Sequence, residues 1–267
     1  MTLLAVENLD AWFARAHPTR SPYFLYAVSN LGSLLALFVY PFGLEPRLAL
    51  SATGRLWTGA FAATGVAVLA CGVVMARSGT VEGDSADRAR AVDPTPRRGA
   101  SRFGEDLLWV ALSGSAVILL MGVTNRLCLD VASIPFLWIA PLTTYLATFI
   151  LCFASEKSPR RGLWALVAVA AFAIVQTIGE SQASIVRLVL AWCALLFGAC
   201  MTLHGELHRS RPAAGSLTRF YLFVSAGGAL GGLFVGLVAP VVFDDHHELL
   251  VGLLLTAALF LVVCARD

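Results

Sequence analysis

The stretch HGELHRSRP, residues 204–212, holds the side chains of this chain whose types and spacing most resemble a metal site. His204 and His208 lie four residues apart, with Glu206 between them. On a helix this spacing places both imidazoles on one face, where they can hold a metal ion. The same residues also suit the polar end of a membrane helix. The surrounding elements decide between the two readings.

The composition is that of an integral membrane protein. Of 267 residues, 58% are hydrophobic and 13% are charged, against about 25% charged in an ordinary soluble domain. The mean hydropathy is +0.78. The polar residues are too few to cover one soluble globule, so that class is excluded. A net charge of +2 gives no indication of a nucleic-acid partner. The six cysteines lie in or beside apolar runs without a CxxC pair, and we interpret them as small apolar residues rather than disulfide or metal ligands.

Long apolar runs predict an all-α integral membrane protein with about eight transmembrane helices, since a spanning helix needs about 20 residues. Strands of a membrane barrel would alternate apolar and polar residues, which these runs do not. The predicted spans are Tyr23–Phe42, Leu56–Ala76, Leu107–Val123, Ser133–Ala154, Gly162–Gly179, Ser184–Thr202, Leu217–Phe243 and Leu249–Cys264.

Residues 1–22 have a different pattern, with apolar residues at helical spacing and acidic residues between them. This pattern predicts an amphipathic helix in the membrane interface that ends near Pro18. An ordinary helix packed on protein fits equally well. A signal peptide does not fit, because acidic residues precede any basic one and no long apolar core follows. The residues that form the apolar face are Leu9, Trp12, Phe13 and Ala16.

The basic residues indicate an orientation. With eight spans and both termini on one side, that side holds all but four of the 19 Lys and Arg residues. The positive-inside rule then places both termini in the cytoplasm, and the predicted location is a bacterial inner membrane. The four on the other side are Arg47, Arg55, Arg126 and Arg187.

The polar stretch 77–105 is rich in Gly, Pro, Ser and charge, and it predicts a flexible cytoplasmic linker. It separates a two-helix membrane segment, residues 23–76, from a six-helix segment, residues 106–267. No sequence repeat relates the two segments.

Three motifs carry a family resemblance: ARAHPTRSPYFLYAVSNLGSLLALFVYPFGLEP, GVTNRLCLDVASIPFLWIAPLTTYLATFIL and HGELHRSRPAAGSLTRFYLFVSAGGALGGLFVGLVAP. Together they cover roughly residues 12–245. They resemble the membrane half of the bacterial fused MFS/spermidine synthase-like proteins. The resemblance implies a partial MFS-like helix bundle. It also implies a chain that lacks the first family helices and the soluble aminopropyltransferase-like domain, so no catalytic residue or cofactor is expected.

Small and amide residues within the spans predict close helix packing. SAGGALGG, residues 225–232, resembles a nucleotide loop, but it lies inside an apolar run rather than between a strand and a helix. Asn30 is predicted to donate a hydrogen bond to a neighbouring helix, with pore lining as the alternative. The residues predicted to mediate packing are Asn30, Gly32, Gly227, Gly228, Gly231 and Gly232.

Two further clusters carry charge. Arg126 and Asp130 are four apart and predict an interfacial ion pair, with a substrate site as the alternative. FDDHHELL, residues 243–250, predicts a solvated turn that caps the last helix rather than a metal site. The predicted orientation puts this turn opposite His204 and His208, which excludes a shared metal site.

The stretch at 204–212 is therefore predicted to be a cytoplasmic turn after the sixth span, because Gly205 weakens a helix and Pro212 ends it. His204, Glu206, Arg209 and Arg211 would form a docking surface for a cytoplasmic partner. His204 and His208 remain weak candidates for a metal site.

Three functions compete. The first is a non-catalytic membrane subunit, a scaffold in contact with lipid, with other membrane chains or copies of itself, and with a cytoplasmic enzyme. The second is an MFS-like transporter, or half of one, for polyamines or related cations. No acidic residue or lysine lies near the middle of a span, which counts against an ion-coupled carrier. The third is a metal-dependent membrane enzyme that uses His204, Glu206 and His208.

Overall fold

The computed structural model of this protein describes residues 23–77, 99–128, 137–154, 160–178, 184–212, 216–245 and 247–266. Every regular element in these ranges is a helix. The predicted interfacial segment 1–22, residues 78–98 of the predicted linker, Asp130 and His246 lie outside the described residues.

The helices follow the apolar runs of the sequence. π-Helical turns follow the first and the seventh α-helix, at Tyr40–Leu44 and Phe234–Val238. The α-helices are α1 (Tyr23–Val39), α2 (Leu50–Arg77), α3 (Gly99–Arg126), α4 (Ile139–Phe153), α5 (Arg161–Thr177), α6 (Ile185–Arg209), α7 (Leu217–Leu233), α8 (Ala239–Val242) and α9 (Glu248–Cys264).

A helix lies in each of the eight predicted spans, and the described chain is that of an all-helical protein with apolar, membrane-type helices. Five helical segments are long and apolar enough to cross a membrane: Tyr26–Leu44, Leu50–Val74, Phe103–Arg126, Ile185–Arg209 and Leu217–Val242. The three others, α4, α5 and α9, have 15 to 17 described helical residues. At 1.5 Å per residue these rise only about 22–26 Å, less than the roughly 30 Å of a hydrocarbon core.

The predicted linker, residues 77–105, overlaps the first turns of α3, while its start agrees with the end of α2 to within one residue. Helix α2 extends through Arg77, and α3 begins at Gly99 rather than after residue 105. Polar residues such as Glu105 and Asp106 are therefore part of the first turns of a membrane-type helix. The charged first turns of a helix, which precede its apolar part, have the amino-acid composition of a linker although their backbone is helical.

The chain divides into two compact units. In the described residues, the first unit consists of residues 35–77 and 99, and the second of residues 23–34 and 100–266. Within the first unit, Arg47 donates hydrogen bonds to the carbonyls of Phe42 and Gly43 at 3.0 and 2.9 Å and so closes the π-helical turn. Helix α2 follows it with its own hydroxyls bonded back to the helix backbone, as Thr58 is to Gly54.

Helix α6 lies at the centre of the second unit. Helix α5 packs antiparallel to it, since Arg161 at the start of α5 contacts Glu206 near the end of α6. Farther along the pair, a Cβ on Gly198 of α6 would lie 2.7 Å from the Ala168 nitrogen of α5. Helix α4 packs parallel to α6, because Thr148 and Phe153 contact His204 and His208 in the same order.

Helix α3 packs against the last two long helices of the second unit. Its contact with α7 is parallel, and its contact with α9 is antiparallel, with Gly122 beside Leu249 and Gly252 beside Leu119. The N-terminal part of α1 joins the same core through the ring of Tyr26, which meets Phe149, Phe153 and Tyr221 at centroid distances of 4.8 to 5.6 Å. Because of these directions, the starts of α3, α5 and α7 lie at the same end of the unit as the last residues of α6 and α9.

Candidate functional site

Five helix ends meet at what we call the charged end of the second unit, defined by Asp106, Arg161, Glu206, Arg209 and Arg219. Asp106, Arg161 and Arg219 lie in the first turns of α3, α5 and α7, while Glu206 and Arg209 lie in the last turns of α6. The last residues of α9 reach the same end, where Cys264 contacts Arg161. The antiparallel alternation of the helices therefore assembles this cluster from residues far apart in sequence.

Glu206 is the centre of the charged end. Its side chain is 5% exposed, and Arg161 binds it through two parallel hydrogen bonds, Nε to Oε1 at 2.6 Å and Nη2 to Oε2 at 2.9 Å. Arg209, one turn later, donates a hydrogen bond to Oε1. Two guanidinium groups thus compensate one buried carboxylate, which would otherwise be costly to remove from water. The pair ties α5 to α6.

A second ion pair ties α3 to α7. Arg219 Nη2 donates to Asp106 Oδ2 at 2.6 Å, and the same guanidinium lies 6.0 Å from the ring centroids of Trp109 and Phe223. The indole of Trp109 donates to the carbonyl of Ser210 at 3.2 Å, just after the end of α6. The arginine is therefore held by charge and by aromatic faces together, and α6 is joined to the same group.

His204 is fully buried one and a half turns before the end of α6. Its Nδ1 lies 2.9 Å from Thr148 Oγ1, which in turn lies 2.7 Å from the carbonyl oxygen of Tyr145. The one hydroxyl proton of Thr148 is needed for the contact with that carbonyl, so the imidazole donates from Nδ1. The lone pair is then on Nε2, a buried atom for which no hydrogen-bond partner lies among the described residues. The ring stacks on Phe149 at 3.7 Å.

His208 is held by a different partner. Arg211 Nη1 lies 2.5 Å from its Nε2, and the ring of Phe153 lies edge-on at 5.4 Å. Since an arginine only donates, Nε2 of His208 is the acceptor and its lone pair is in use. The two imidazoles therefore have different hydrogen-bond partners: His204 Nδ1 contacts Thr148, and His208 Nε2 contacts Arg211. Among the described residues no group of three His, Cys, Asp or Glu side chains could hold a metal ion.

The prediction of a turn at residues 204–209 is wrong. Helix α6 continues to Arg209, and His204, Gly205, Glu206 and His208 are all buried on it. The turn begins at Ser210, whose N–H bonds to the Glu206 carbonyl at 2.9 Å. A glycine in a helix costs up to about 1 kcal/mol, but burial and the ion pairs of Glu206 exceed that cost. In the docking surface predicted from sequence, His204 and Glu206 face the core, and Arg209 and Arg211 are the accessible members.

The glycines of α7 differ in what they contact. A Cβ on Gly227 would overlap the Val110 carbonyl oxygen and the Ser113 hydroxyl of α3, and one on Gly231 would lie 2.5 Å from the Gly114 carbonyl oxygen. Gly228 and Gly232 have room for a Cβ, at 3.6 and 3.9 Å from the nearest side chains. The backbones of α3 and α7 therefore approach most closely at two of the four predicted positions.

The packing predictions for α1 need correction. The amide of Asn30 donates to the carbonyl of Tyr26 on its own helix at 2.8 Å, not to a neighbouring helix. Gly32 is exposed, and a Cβ there would have no atom of the described chain within 4 Å. An amide four residues after a carbonyl can satisfy itself locally, so its presence in a span does not require a partner helix. Asp130, the predicted partner of Arg126, lies outside the described residues.

The opposite end of the second unit is polar as well. Asn125 Nδ2 at the end of α3 donates to Glu248 Oε1 at the start of α9 at 3.0 Å. Between Asp106 and Asn125 α3 rises about 28 Å, close to the thickness of a hydrocarbon core. Asp244, Asp245 and His247 lie exposed at this far end. They are separated from His204 and His208 by most of the length of the helices, so the two clusters do not converge.

A cavity of about 470 Å³ opens at the charged end. Helices α3, α5, α6 and α9 all contribute to its wall. Its lining residues are Leu108, Arg161, Glu206, Arg209, Ser210, Val263 and Arg266. Three guanidinium groups and one carboxylate thus share one concave surface with two aliphatic side chains.

Sequence reasoning did not identify Asp106, Trp109, Thr148 and Arg161 as site residues. The predicted orientation placed Arg161, Arg209, Arg219 and Arg266 on one side of the membrane, and that was the available signal. It could not show which cation meets which carboxylate, because the pairing depends on which helices are neighbours.

No match to the chain is found among protein-family models, curated proteins or solved structures. The resemblance to the membrane half of the spermidine synthase-like proteins therefore stays a prediction from the three motifs.

Proposed function

We propose that this chain is a non-catalytic subunit of a larger membrane complex, a scaffold that holds other membrane chains. In this proposal all eight apolar helices cross a bacterial inner membrane, the three shorter ones with local thinning of the bilayer. Both termini and the charged end face the cytoplasm, in accord with the distribution of basic residues. The family resemblance is part of the same proposal, with a cytoplasmic enzyme as a further partner.

One observation carries the proposal: His204 is the only acidic or basic side chain within the apolar depth of the six described helices α3–α7 and α9. The ion pairs of Asp106, Glu206 and their arginines lie at one end, and the pair of Asn125 and Glu248 lies at the other. Ion-coupled carriers and membrane enzymes place such groups along the path of their substrate. Here they join neighbouring helices, as expected of a structural subunit.

The experiment compares the chain alone with the chain in its native membranes. Purified from a heterologous host in mild detergent, the chain of 28.4 kDa is expected to form small, heterogeneous oligomers. In native membranes treated with an amine crosslinker, it is expected in a defined species that contains at least one other membrane chain. A monomer in both settings would contradict the scaffold.

A transport measurement separates the scaffold from its main competitor. Proteoliposomes that contain the purified chain are loaded with buffer and exposed to labelled putrescine, spermidine and spermine, with and without a proton gradient. Uptake no faster than in protein-free liposomes is expected. Uptake that saturates with substrate would favour the transporter and overturn the scaffold proposal.

A further inference from the structure

We draw no further inference here: the strongest candidate, the buried side-chain cluster of Cys152, Met201 and His204 between α4 and α6, carries nothing, because a contact of 3.8 Å between the two sulfur atoms is ordinary core packing and no group of three His, Cys, Asp or Glu side chains in the described part of the chain could hold a metal ion.

Discussion

At the residue scale, Glu206 determines the arrangement of the charged end. It is almost fully buried, yet it lies in a membrane-type helix and accepts from two arginines. A buried ion pair contributes little compared with apolar packing, but breaking it by removing one partner is strongly destabilising. The two arginines therefore compensate the charge of Glu206. Removal of Glu206 would leave both of them without a carboxylate partner in a low-dielectric environment.

We expect Glu206→Gln to lower the free energy of unfolding by about 2 kcal/mol, because Arg161 and Arg209 lose their carboxylate. The loss stays below that of a fully buried pair, since the two arginine side chains are 19% and 28% exposed. A fall in Tm of roughly 4–8 °C is the expected readout. The matched control, Glu45→Gln, changes an exposed glutamate and is expected to leave Tm unchanged. An equal Tm for both variants would show that the ion pairs contribute nothing.

His204 gives a second prediction at this scale. His204→Phe keeps the stacking on Phe149 and removes Nε2, the buried atom without a described partner. An unsatisfied buried polar atom costs about 1–3 kcal/mol, so stability is expected to remain within about 1 kcal/mol of wild type or to rise. His204→Ala leaves a void and is expected to cost about 2–4 kcal/mol. Equal losses in both variants would mean that Nε2 has a partner, such as a buried water. Chemical denaturation followed by tryptophan fluorescence distinguishes the cases.

At the element scale, the contact between α3 and α7 depends on two glycines. Gly227 and Gly231 bring the α7 backbone against Val110 and Gly114 of α3, and close approach of this kind stabilises helix pairs where the solvent is lipid. The ion pair of Asp106 with Arg219 closes the same helix pair at the charged end. Packing and charge therefore specify one parallel register.

Gly231→Ala is expected to separate α3 from α7, because its Cβ would lie 2.5 Å from the Gly114 carbonyl oxygen. Overpacking of this kind costs about 1–3 kcal/mol, which corresponds to a fall in Tm of several degrees. The control is Gly228→Ala, one turn away on the same helix, where the new methyl group has room. It is expected to be neutral or slightly stabilising, as alanine favours the helix. A Gly231→Ala protein as stable as the control would argue against this packing.

At the scale of the whole molecule, the second unit has two polar ends separated by an apolar interior. The ends are marked by the pairs Asp106–Arg219 and Asn125–Glu248. Their separation along α3, about 28 Å, is the thickness that a bilayer requires. In the proposed topology, in which α9 crosses the membrane, the turn before α9 and the residues after it lie on opposite sides.

This arrangement predicts opposite accessibility for two single-cysteine variants in a cysteine-free background. Asp244→Cys, in the turn before α9, is expected to react in intact cells with a membrane-impermeant maleimide. Ala265→Cys, after α9, is expected to react only after permeabilisation, because the positive-inside rule places it in the cytoplasm. Both native residues are exposed. The reverse pattern would invert the orientation, and labelling of both in intact cells would contradict a membrane-spanning α9.

The sequence alone determined the class of structure. Long apolar runs require helices in a membrane, since every backbone group must bond within its own segment, and the structure has a helix in each predicted span. The lengths were less predictable, because charged first turns such as those of α3 at Gly99–Asp106 resemble a linker in composition. The alternation of eight spans also predicts that most basic residues lie on one side of the membrane, and this stays a prediction.

Only the tertiary structure decided which of these residues meet. The sequence predicts Glu206 in a cytoplasmic turn, yet it lies on helix α6 and Arg161, 45 positions earlier, binds its buried carboxylate. Asn30 was predicted to donate to a neighbouring helix, but it donates to a carbonyl of its own helix. Two of the four glycines of α7 are in close contact with α3, and the other two are not. The physical reason is common to all of them. Periodicity and hydropathy predict which segments are helical and which suit a membrane. Which side chains pair and which are buried depends on the neighbouring helix and on the register between the two helices.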